Sequence, residues 1–131
     1  MNPSYGLTRT FANTSLADAR GRITDALKTE GFGILTEIDV QATMKKKLDV
    51  DFQPYQILGA CNPSIAHQAL TADPAIGLML PCNVVVTETG GGDAIVSIAK
   101  PEAMFSVVDN PAMKPFVAQV SEKLTRALEL A

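Results

Sequence analysis

The chain has 131 residues, 19% of them charged, and a net charge of −3 at pH 7, with a pI near 5.0 and a mean hydropathy of +0.14. That length buries a core without disulfides or a structural metal and suits a single domain over residues 1–131. The acidic balance argues against a nucleic-acid binder, which needs a basic face to release counterions, and a chain with no tryptophan and 5% aromatics offers little for a base-stacking platform.

The charged fraction is below the roughly 25% usual in soluble domains. We expect the apolar surplus to be covered at a subunit interface, most simply in a two-fold homodimer. Lys45-Lys46-Lys47 reads as the solvated side of a short helix. No basic stretch leads into an apolar segment near the N-terminus, so no signal peptide is expected. The apolar run from Ala75 to Val86 is interrupted by Gly77, Pro81 and Asn83 and falls short of the roughly 20 residues a membrane helix takes. The expectation is a cytoplasmic protein with reduced thiols and no membrane or nucleic-acid partner.

Ser4 to Ala12 alternates as a strand does. Asn13-Thr14-Ser15 supplies capping oxygens, with Asp18 spaced for a capping box from Ser15. Leu16, Ala19, Ile23, Ala26 and Leu27 follow at helical spacing, and Gly31 closes the helix. Phe32, Ile34 and Ile38 are expected on one face of a second strand. Asp39 caps a short helix with Val40, Met44 and Leu48 on one side, and Tyr55 to Ala60 forms a third strand closed by Cys61.

Asn62-Pro63 places a capping residue before a proline at the first helical position. The helix it opens ends before Pro74. Gly77 to Val86 reads as a strand buried on both faces, turned by Gly90-Gly91-Gly92 into a partner at Ala94 to Ala99. A loop or helical turn follows Pro101. Asn110-Pro111 repeats the capping device before an amphipathic stripe of Met113, Phe116, Val117, Val120, Leu124, Ala127 and Leu128. The order β-α-β-α-β-α-β-β-α implies an α/β (α+β) two-layer domain, with helices packed on a mixed β-sheet.

Two cysteines occur, each followed by asparagine: Cys61-Asn62 and Cys82-Asn83. The lone histidine, His67, lies between them. Cys61 just before a helix start could be acidified by the helix dipole and act as the reactive group of a thiol-dependent enzyme or redox protein. Both cysteines read equally as small core residues, which would make the domain a structural or interaction partner. A disulfide between them also stays open, although the spacing is not that of a thioredoxin motif. Cys61, His67 and Cys82 together could offer soft ligands to a metal ion or a haem iron, on a spacing that matches no metal signature. Glu37 and Asp39, two apart at a strand end, share a side. Glu37, Cys61, Asn62, His67, Cys82 and Asn83 are thus the candidate ligand-binding residues. No phosphate loop, dinucleotide fingerprint or nucleophile elbow is present.

Gly31-Phe32-Gly33-Ile34-Leu35-Thr36-Glu37-Ile38-Asp39-Val40, Tyr55-Gln56-Ile57-Leu58-Gly59-Ala60-Cys61-Asn62-Pro63 and Ile76-Gly77-Leu78-Met79-Leu80-Pro81-Cys82-Asn83-Val84-Val85-Val86 together carry a resemblance. With Ala69-Leu70 and Asp73-Pro74 between them, they closely resemble the bacterial and archaeal domain-of-unknown-function family three hundred and two, over nearly the whole chain. The resemblance implies a compact, typically dimeric α/β domain with no established activity or substrate, and it supplies no catalytic residue.

Overall fold

The computed structural model describes residues 1–131. Five strands, β1 (Gly6–Phe11), β2 (Gly33–Asp39), β3 (Tyr55–Cys61), β4 (Cys82–Glu88) and β5 (Ala94–Ala99), form one sheet ordered β1-β5-β4-β3-β2. The helices are α1 (Leu16–Thr29), α2 (Val40–Leu48), α3 (Pro63–Ala72), the single turn α4 (Pro101–Met104) and α5 (Lys114–Leu130). The α/β class is as expected, but the sheet is not mixed: every pairing in it is antiparallel. The reason lies in what the helices connect. α2 and α3 are excursions between strands that then pair antiparallel, so neither is a crossover. Only α1 crosses the sheet, joining two strands at its opposite edges.

Capping chemistry sets most helix starts. Ser15 accepts from the Asp18 N–H, Asp39 from the Ala42 N–H and Asn62 from the Ile65 N–H. Glu88 of β4 adds a long-range cap that the sequence does not announce, its carboxylate accepting from the Leu16 N–H at 2.6 Å. Gly31, at φ +82°, ends α1, with the Phe32 N–H returning to the Leu27 carbonyl. Arg126 of α5 donates to Glu30 just past the end of α1, and this ion pair holds the Glu30 carboxyl below its usual range.

Two expectations fail locally. Ile34 and Ile38 do not share a face, because a bulge between Ile34 and Thr36 sets Ile34 opposite Ala60 but Ile38 opposite Ile57. The strand expected from Gly77 starts only at Cys82. Asp73 caps a 3-10 turn at Pro74–Met79 instead, accepting from the Ala75 N–H. Nor is that strand buried along both faces: Val84 and Val86 are buried on one, while on the other Thr87 is buried, Val85 half-buried and Asn83 exposed.

One face of the sheet carries the core. Leu58, Val84, Val86, Val96 and Ile98, with no exposure, pack under Ile23 and Leu27 of α1 and Leu124 and Ala127 of α5. A second, smaller cluster joins Ala69 of α3 to Ile76 and Met113. No helix is long and apolar enough to cross a membrane.

Candidate functional site

Between these two clusters the N-terminal half of α5 stands off the sheet and leaves a cleft. Its floor is Ala60 and Cys61 at the end of β3 and Cys82 at the start of β4. One wall is α3, through Ile65, Ala66 and Ala69; the other is α5, through Phe116, Val117 and Val120. Phe105 and Leu80 help close the ends. Thirteen of the fourteen lining residues are hydrophobic, and the cavity measures about 40 Å³. A water needs about 10–15 Å³ measured this way and two or more polar partners. The space therefore suffices for a few waters, and the lining offers them almost no hydrogen bonds.

The strand ends place both cysteines here. Cys82 is set in register with Ala60, the residue before Cys61. Both thiols are free and half-buried. Burial pushes the Cys82 thiol up to about 11 from its ordinary 9.0, with the neighbouring Cys61 adding to the shift. Thiolate at Cys82 is therefore disfavoured at neutral pH. No charged side chain and no histidine lines the cleft.

The other candidates separate from this pair. Asn62 lines the cleft, but its side chain is already engaged, accepting from the Ile65 N–H and donating to the Glu30 carbonyl. His67 is exposed and lies two residues from each of Ile65 and Ala69. At 100° per residue that is about 200° round the helix, so its ring points away from the cleft. No three His, Cys, Asp or Glu side chains are placed together to hold a metal ion. The expected grouping of Cys61, His67 and Cys82 is thus not assembled, because the helical period carries the imidazole off. Asn83, next to Cys82, turns to the opposite face of the sheet, as strand alternation requires.

Glu37 and Asp39 do share a side, opposite Leu58 and Gln56, yet each is committed locally. Glu37 pairs with Arg20 of α1, and Asp39 caps α2. Glu37 sits opposite a residue three positions before Cys61, a distance of about 10 Å along the strand. What the sequence reading missed is the wall from α5. Phe116, Val117 and Val120 belong to the stripe read as core, but they are only half-buried, whereas Leu124, Ala127 and Leu128 are buried. Pro111 and Pro115, which confine the turn before α5 and its first residues, were the available signal that the helix enters at its own angle.

A family model for the domain of unknown function DUF302 matches residues 7–131. The chain belongs to the DUF302 family. A crystal structure of an uncharacterized conserved DUF302 protein from Bacillus stearothermophilus is similar to it throughout. The two share 29% sequence identity and a TM-score of 0.87, over 97% of this chain and 98% of that one. No curated protein matches the chain. The cleft and its two thiols therefore sit in a fold that this DUF302 domain shares with a solved relative.

Proposed function

We propose that this DUF302 domain binds the end of a slender alkyl chain in the cleft over Cys61 and Cys82. One observation carries the reading: an accessible cavity whose only polar lining residue, Asn62, already spends its side chain on helix capping. Such a space is poor for water and good for hydrocarbon. Polarisable sulfur at the floor adds dispersion contact with a methylene chain. The thiol-enzyme reading has less support, since Cys82 is held as the thiol and no basic side chain lines the cleft to activate Cys61.

Thermal denaturation with a series of 1-alcohols of increasing chain length tests the proposal. A ligand at ten times its dissociation constant is expected to add about 1.4 kcal/mol. Ala66→Val, which adds two methyl groups to the α3 wall of the cleft, is expected to abolish that gain while leaving the fold intact. Equal stabilisation of both proteins, or none of the wild type by any of these compounds, would overturn the reading.

A further inference from the structure

A cleft of about 40 Å³ takes only the end of a chain, so the remaining carbons must leave it past one of the side chains around it. Most of that boundary is fixed. Strand residues make the floor, and Ile65, Ala69 and Ile76 of the wall are buried. Phe105 is different: it is half-buried, on the 3-10 turn Phe105–Val107 that follows α4. Neither α4 nor this turn has a side-chain cap, whereas α1, α2 and α3 all do. A short segment held by few such bonds opens at low cost. Phe105 and Val117 also line a second hollow, a groove of about 540 Å³ on the protein surface. Two apolar residues thus form a wall shared by the cleft and the groove.

The groove differs from the cleft in kind. The cleft has no charged lining residue, whereas the groove has Glu102, Asp109 and Lys114, all exposed and none in an ion pair within the chain. Its other polar residues are already engaged: Ser106 donates to the Ala103 carbonyl, and Asn110 donates to the Asp73 carboxylate. We infer that the ligand is a single-chain amphiphile with an amine head. Its tail end lies in the cleft, its chain passes between Phe105 and Val117, and its head lies in the groove beside Glu102 and Asp109. This rests on the alkyl-chain reading of the cleft and supplies the other half of the molecule. A passage between two side chains admits one chain and not a pair. Two carboxylates against one ammonium favour a cationic head over an anionic one; exposed charges of this kind set selectivity more than affinity. Affinity comes from the chain, at roughly fourfold per methylene taken from water.

Isothermal titration of the full chain tests this with 1-alcohols of six to ten carbons and with decylamine and decanoate, all below micelle-forming concentrations. Ala118→Trp is the diagnostic variant, because Ala118 is exposed on α5 and lines the groove but not the cleft. The wild type is expected to bind roughly fourfold more tightly per added carbon across the series. Ala118→Trp is expected to leave 1-hexanol binding unchanged, which shows the cleft intact, and to weaken 1-decanol about tenfold. Decylamine is expected to bind the wild type about threefold more tightly than 1-decanol and about tenfold more tightly than decanoate. The double variant Glu102→Gln, Asp109→Asn is expected to remove the amine's advantage over the alcohol. Equal binding of 1-decanol by wild type and Ala118→Trp, or decanoate bound as tightly as decylamine, would overturn the inference while leaving the cleft reading in place. Binding of no alcohol by the wild type would overturn both.

Discussion

Gly59→Ala is expected to destabilise the domain by about 3 kcal/mol, at the upper end of the range for an overpacked interior. Gly59 is buried in β3, with Thr36 of β2 on one side and Pro81, just before β4, on the other. A β-carbon built there would overlap the Thr36 hydroxyl and lie 2.6 Å from Pro81 Cγ. Thr36 is exposed and its hydroxyl can rotate away, but the proline ring cannot. The strain must pass into the backbone at Pro81 and so into Cys82 at the cleft floor. Gly33→Ala is the control in the neighbouring strand, since nothing lies within 4 Å of a β-carbon at Gly33. Thermal melts are expected to show a fall of about 10 °C for Gly59→Ala, at roughly 2–4 °C or more per kcal/mol, and little change for Gly33→Ala. Coincident melting of Gly59→Ala and wild type would refute the packing around β3.

Stability is expected to fall as pH rises through the Cys82 titration. Burial raises this thiol in the folded protein from 9.0 to about 11, so the unfolded chain ionises first. The thiol's contribution is complete below pH 9 and is lost as pH climbs toward 11. At 1.36 kcal/mol per pKa unit the loss is on the order of 2 to 3 kcal/mol. Lysine and tyrosine also titrate in this window, so the informative quantity is the stability difference between wild type and Cys82→Ala. Urea denaturation under reductant, repeated from pH 7 to 11, is expected to show the wild type's advantage over the variant shrinking by that amount. A constant difference would place Cys82 in contact with water rather than in the apolar floor. The same burial predicts that iodoacetamide reacts with Cys82 only slowly at neutral pH.

Legibility from the sequence followed the range of the interaction. Local devices were readable: Ser15, Asp39 and Asn62 are caps whose partners lie within three residues. Pro74 marks the end of α3, but the cap at Asp73 is not legible, because an apolar run that turns as a 3-10 segment has no period distinct from a strand over six residues. The bulge at Leu35 was invisible, and it reversed the face of Ile38. Strand directions were also hidden, since α2 and α3 have lengths that serve equally for a crossover or an end excursion.

The candidate site was legible in part for the same reason. Cys61 and Cys82 terminate adjacent strands and do share one cleft. His67 shares their metal-ligand chemistry, but the helical period turns its ring away from the cleft. The walls from α5 come from residues more than thirty positions beyond Cys82, and only the packed fold brings them over the thiols.

Crystals of the reduced domain held under xenon pressure measure the cleft most directly, because xenon enters apolar cavities that water leaves empty. The account predicts one xenon atom among Ala69, Cys82 and Val120. Ordered water filling that space, or xenon absent from it while other sites are occupied, would contradict a dry, ligand-ready cleft.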